Sequence, residues 1–183
     1  MRFPLARFGK SLLLLSLAIP TIGWGQTPQK EDIWRPLEFL IGDWQGQGHG
    51  EPGTANYERQ YRFIFNKKFI EIRNKSSWVP TPQNPQGEVH EDLGYISYDK
   101  ARKTYVLRQF HIEGFVNQYA LESISTDGKI VFISEAIENI PPGWRARETY
   151  QKLAEDQFSE TFDLAPPDKG FELYSTVILK RKN

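Results

Sequence analysis

From Tyr57 to the C-terminus, apolar and polar residues trade places at nearly every step. In "NYERQYRFIF" the residues Tyr57, Arg59, Tyr61, Phe63 and Phe65 share one face, and in "FIEIRNKSSW" Ile70, Ile72 and Asn74 oppose Phe69, Glu71 and Arg73. The same rhythm runs through "LGYISYD", "TYVLRQFH", "FVNQYALESI", "KIVFISEAIE", "WRARETYQKL", "DQFSETFDLA" and "FELYSTVILKRK". A period of two is the signature of a strand with two unlike faces. Turn-forming clusters separate the segments: "FNKK", "TPQNPQGE", "DKARK", "IEG", "STDGK", "NIPPG", "AED" and "APPDKG". With the glycine-rich segment before them, this predicts about ten strands joined mostly by hairpins. An open meander of that size leaves two unpaired edges, and closure removes them. The predicted fold is all-β: an antiparallel up-and-down barrel preceded by one short helix.

That helix is predicted near Ile33–Leu40. Ile33, Leu37, Leu40 and Ile41 recur at helical spacing, Pro36 suits a first turn, and Trp34 and Leu37 should face a core. Ahead of it stands a different kind of sequence. Arg2, Arg7 and Lys10 precede the apolar run "SLLLLSLAIPTIGWG", which ends on small residues. This is the order of a secretory signal peptide, with cleavage expected after Gly25. The expected organisation is a signal peptide over residues 1–25, a linker over 26–35 and a single barrel domain over 36–183. The expected location is periplasmic or extracellular, with no membrane span in the mature chain.

The segment "LIGDWQGQGHGEPG" contains Gly48-x-Gly50-x-x-Gly53, the spacing of a dinucleotide fingerprint. That fingerprint works only when a helix N-terminus follows it. Here Pro52 lies inside and an alternating strand follows, so the phosphate reading fails. Read as a strand, Gly42, Trp44, Gly46, Gly48 and Gly50 fall on one face, which is nearly bare and lets another backbone approach closely.

Gly42-Asp43-Trp44 resembles the opening of the calycin barrels, the lipocalins and fatty-acid-binding proteins. The resemblance implies that Trp44 packs under an arginine near the barrel's end, and Arg181 is in step for that role. A closer resemblance is to the nitrobindin-type haem-binding barrels. "LIGDWQGQG", "FIFNKKFIEIRNKSS" and "VHEDLGYIS" follow that family's pattern in order across Leu37–Tyr95. Haem-binding members hold iron through a histidine near the C-terminal end of the barrel. This chain has His49, His90 and His111, and none lies in its last three strands. The resemblance therefore implies the fold, while tight haem binding is not expected and no cofactor is assigned. Tyr174 is the nearest C-terminal residue able to ligate ferric iron.

Formal net charge is zero, so no nucleic-acid partner is implied, and the absence of cysteine excludes disulfides and thiolate metal sites. His90-Glu91-Asp92 offers at most two convergent ligands, His90 and Asp92, where zinc wants three or four, so no metal site is assigned. His111 and Glu113 share a face and form either a rim pair or an acid–base pair. Glu135 and Glu160 stand near Arg147 as partners on neighbouring strands. Twelve Phe, eight Tyr and five Trp can line a cavity. The function expected is binding of a small hydrophobic or amphipathic, lipid- or carboxylate-like ligand in the lumen. The contacts expected are Tyr61, Phe63, Tyr119, Arg147, Leu173 and Ser175, with Gly42, Trp44 and Arg181 as the structural signature. No catalytic residue is assigned. The alternatives are a barrel isomerase or hydrolase using His111, Glu113 and an inward arginine, and a partner-binding barrel with a filled core.

Overall fold

A computed structural model describes residues 32–50, 53–82 and 84–182. The expected signal peptide and most of the expected linker lie outside them. A 3-10 helix, Arg35–Leu40, precedes ten strands: β1 (Gly42–Gly50), β2 (Gly53–Ile64), β3 (Phe69–Trp78), β4 (Glu88–Asp99), β5 (Thr104–His111), β6 (Val116–Ile124), β7 (Lys129–Glu138), β8 (Arg145–Ala154), β9 (Gln157–Ala165) and β10 (Glu172–Arg181). Each strand pairs antiparallel with the next, and β1 closes on β10. The predicted meander and its closure are both present. No described helix is long and apolar enough to cross a membrane.

The bare face of β1 makes the closure possible. A Cβ added at Gly46 would lie 2.2 Å from the Ile178 carbonyl oxygen, and one at Gly48 would lie 2.3 Å from that of Thr176. The glycines thus let the first strand lie tightly against the last. They do not cradle a phosphate.

The helix plugs one end of the barrel. Trp34, Leu37 and Leu40 are buried, so the plug begins at Trp34, inside the stretch expected to be linker. Trp34 packs on Phe63 and Tyr105, with ring centroids 6.0 and 5.9 Å away, and its indole donates to the Lys67 carbonyl at 2.7 Å. That carbonyl belongs to the β2–β3 turn, where Phe65, Asn66 and Lys67 take φ of 48, 54 and 58°. Strand alternation alone would turn Phe65 inward, but the left-handed turn carries it out of the strand and leaves it 74% exposed.

Above the plug the lumen is apolar: Ile70, Ile72, Ile96, Leu107, Phe132, Phe158 and Leu179 are fully buried. Next comes a polar belt formed by Arg59, Asn74, Gln109, Asn117, Glu148 and Glu160, with Tyr61, Tyr119 and Tyr150 among them. The far end is the mouth. There the inward-facing Trp78, Phe162 and Leu164 are only partly buried, unlike the residues beneath them.

Candidate functional site at the barrel mouth

The belt sets the floor of the mouth. Arg59 of β2 reaches Glu160 of β9, with Nε and Nη2 donating to its carboxylate at 2.6–3.0 Å. Its Nη1 donates to the carbonyls of Glu58 and Lys75 and to the Ser76 hydroxyl. Burial works against the guanidinium, but the Glu160 charge outweighs it and the pKa of Arg59 is raised. The lumen's arginine is therefore already committed to an internal carboxylate. Glu148 of β8 sits in the same belt, and burial, reinforced by Glu160, pushes its pKa well above the ordinary value. Burial likewise keeps Tyr61, Tyr119 and Tyr150 as phenols.

The walls of the mouth are aromatic on one side. Tyr57 and Trp78 meet edge to face at 6.3 Å, and Phe162 meets Tyr174 at 5.6 Å. Two buried polar groups here have no hydrogen-bond partner within normal reach among the described residues: the Trp78 indole N–H, and the Tyr57 hydroxyl, which has the Ser175 side chain nearby. Buried polar groups are nearly always paired, so orphan donors beside an open mouth point to an acceptor brought in from outside.

The other wall carries the histidines. Asp92 of β4 and His111 of β5 are register partners, and His90 lies two residues up the same face of β4. His90 Nδ1 lies 2.7 Å from a Glu113 oxygen, and its Nε2 lies 3.2 Å from His111 Nδ1. His111 Nε2 lies 3.1 Å from the Asn117 amide nitrogen, which also donates to the Tyr119 hydroxyl at 2.9 Å. The His111 ring stacks on Phe115 at 4.0 Å. Burial lowers the His111 pKa to about 4. Burial also acts against a charge on His90, but Asp92 and Glu113 more than reverse it and raise its pKa. Asp92 is pushed up by burial, yet the bond from His90 and the Arg59 charge hold it below the usual carboxylate range. His49 is elsewhere, exposed on β1 beside Thr54.

The residues expected at the site are dispersed. Tyr61 and Tyr119 are buried in the lumen, and Ser175, expected as a lumen contact, lies at the mouth opposite Phe162. Phe63 is inside but at the plugged end, against Trp34. Two expectations are corrected. Leu173 is 56% exposed, because a bulge between Leu173 and Ser175 reverses the alternation of β10 at that point. The same bulge brings Tyr174 onto Phe162, where regular alternation would turn it outward. Arg147 lies on the outer wall: its neighbours Ala146 and Glu148 are the buried ones, and it pairs with Asp163 at 3.0 Å. Phe171, in step with Leu173 in the sequence, precedes β10 and lies against the Arg145 and Arg147 guanidiniums, at 5.0 and 4.6 Å. Sequence reasoning missed Tyr57, Trp78 and Asn117 as mouth residues and Arg59 as the inward arginine. The even alternation of β2 was the available signal for Arg59. A hollow of about 570 Å³ is also present; outward-facing side chains such as Glu58, Gln60, Arg73 and Lys75 bound most of it, and Arg59, Asn74, Asp92 and His111 line the rest.

Histidine ligation of haem from the β8–β10 wall does not fit these residues. Those strands carry no histidine.

Comparison with known proteins bears on the fold. The crystal structure of Rv2717c from M. tuberculosis superposes with a TM-score of 0.61 at 16% identity, covering 82% of this chain and 97% of that one. A de novo designed fluorescence-activating β-barrel gives a TM-score of 0.41 at 14% identity over 79% and 95% of the two chains. No curated protein matches significantly. The family model described as THAP4-like, heme-binding beta-barrel domain matches residues 34–181, which spans the plug and all ten strands. A ten-stranded closed barrel with a helical plug and a half-open mouth, matched along nearly its whole described length, places this chain in the THAP4-like, heme-binding beta-barrel family.

Proposed function

We propose that the protein binds a small, partly apolar molecule in the barrel mouth, with an oxygen acceptor of that molecule meeting Tyr57 and Trp78. The observation that carries this reading is the pair of buried, unpartnered donors beside half-buried aromatic rings. Aromatic walls suit an apolar body, and the donors suit a carbonyl or carboxylate head. A carboxylate clamp by Arg147 finds no support in its outward position, and Arg59 is already paired. The head group is therefore bound by neutral donors. Native mass spectrometry of the purified protein tests the reading: a co-purified molecule of a few hundred daltons supports it, and a clean apo mass that accepts no amphipathic carboxylate or ester counts against it.

A haem-type ligand is the second reading, favoured by the family match. A flat macrocycle suits an aromatic mouth, but this chain's donor set predicts a weak iron bond. Hemin titration separates the two: a saturable Soret band would favour haem, and its loss in Tyr174→Phe would mark the ligand.

The protein is further proposed to act outside the cytoplasm. The support is the order of basic residues, apolar run and small residues before Gln26. N-terminal sequencing of the protein recovered from fractionated cells tests this, and an intact Met1 would count against it.

A further inference from the structure

We infer that His90, Asp92 and His111 form a binding site for a divalent transition-metal ion of the zinc class, with an open coordination position at the mouth. The inference is independent of the organic ligand proposed above. Three ligand atoms converge: His90 Nε2, His111 Nδ1 and an Asp92 carboxylate oxygen lie within 4.8 Å of one another. His90 Nε2 is 3.2 Å from His111 Nδ1 and 3.7 Å from Asp92 Oδ2. Two atoms bound tetrahedrally to one zinc ion at about 2.0–2.1 Å stand roughly 3.3 Å apart. The first separation matches a shared ion and the second exceeds it slightly, so side-chain adjustment rather than rearrangement of the strands would bring the three atoms onto one ion.

The atoms pointing away from the ion are held as well. His90 Nδ1 faces Glu113 at 2.7 Å, the carboxylate–histidine arrangement that fixes a metal-bound imidazole. Asp92 Oδ1 accepts from Asn74 at 2.9 Å and from Gln109 at 3.5 Å, which aims Oδ2 at the histidines. With the ion on Nδ1, His111 carries its proton on Nε2 and needs an acceptor there. The Asn117 amide, rotated end for end, supplies one, and the same oxygen accepts from the Tyr119 hydroxyl.

Two histidines and one carboxylate leave at least one position open. His90 is 21% exposed at its side chain and Asp92 6%, so that position faces the mouth rather than the packed belt. A water or an oxygen of a mouth ligand completes the coordination. Adjacent residues on one strand could offer only His90 and Asp92; the third ligand comes from β5 through the Asp92–His111 register.

The test is a calorimetric titration of zinc chloride alone into the purified full chain, after stripping with a chelator. One ion per chain is expected. His111→Gln and Asp92→Asn should weaken it by about 100-fold or more, Glu113→Gln by about 10–100-fold, and His49→Gln by less than about twofold. Cobalt(II) should give ligand-field bands that saturate at the same stoichiometry and vanish in the same variants. Should His111→Gln or Asp92→Asn fail to fold, Glu113→Gln decides, because that side chain is 44% exposed on a turn. Absence of saturable binding in the wild type, or binding unchanged by His111→Gln, Asp92→Asn and Glu113→Gln, would overturn the site and leave a hydrogen-bonded histidine cluster.

Discussion

The Arg181 guanidinium carbon lies 4.2 Å from the centre of the Trp44 ring, at the seam where β1 meets β10. Arg181 also donates to the Ile41 carbonyl at 2.7 Å and to that of Phe39 at 3.4 Å, while the Trp44 indole donates to the Leu40 carbonyl. One stacked pair thus ties the plug, the first strand and the last strand together. Its register, Trp44 opposite Arg181, brings the two side chains to the same lumen face.

Trp44→Ala should therefore destabilise the protein by about 3–5 kcal/mol, since a fully buried ring is removed. Urea unfolding followed by circular dichroism reads this directly. An unchanged midpoint would mean that the seam does not depend on the pair.

The Arg59–Glu160 pair makes a different prediction. Both side chains are under 10% exposed, at 6% and 9%. Removing one partner leaves a buried charge alone, so Glu160→Gln should cost about 3–5 kcal/mol. Replacing both, as Arg59→Met with Glu160→Leu, should cost less than the sum of the single changes. A double-mutant cycle in urea measures the difference, and simple additivity would show that the two do not interact.

Trp44 and Arg181 were legible because a Gly-x-Trp opening and a late arginine in step with the last strand both survive in the sequence. The barrel was legible because alternation and turn clusters repeat from Tyr57 to the end. The direction of Leu173 and Tyr174 was not, because a single-residue bulge reverses a face and leaves no mark in the hydrophobic pattern. Arg59 joins a buried polar belt across the lumen from the face it shares with Tyr61 and Phe63 in the sequence, and Glu148 joins the same belt from β8, although polarity gave no sign of their burial. The histidine cluster was half legible: His90 and Asp92 share a strand face, but His111 joins them only through the β4–β5 register.

Glu148 predicts a pH dependence. An unfolded glutamate ionises around its ordinary value of 4.5, while the folded one stays protonated well above it. The native state then binds more protons than the unfolded state, so this residue's contribution to stability falls as pH rises above about 4.5. Glu148→Gln removes that fall. The variant's stability relative to wild type should increase as pH is raised above about 5 in urea titrations. A constant difference across that range would show that Glu148 ionises normally in the fold.

Arg147 and Asp163 form an outer-wall pair, with side chains 36% and 9% exposed. Arg147→Gln leaves the buried Asp163 carboxylate without its cation, so it should cost about 1–3 kcal/mol, more than a fully exposed pair. Thermal unfolding checks this, and an unchanged midpoint would show that Asp163 does not depend on Arg147.

Displacement of a fluorescent fatty-acid analogue most directly tests the claim that the mouth is the binding site and that neutral donors hold the ligand's head. The account predicts saturable one-to-one binding, weakened roughly tenfold or more by Trp78→Ala and by Tyr57→Phe, each worth about 1.4 kcal/mol or more. It predicts affinity within about twofold of wild type for Arg147→Gln, because that side chain faces away from the lumen. Wild-type affinity in both mouth variants, together with loss of binding in Arg147→Gln, would contradict it.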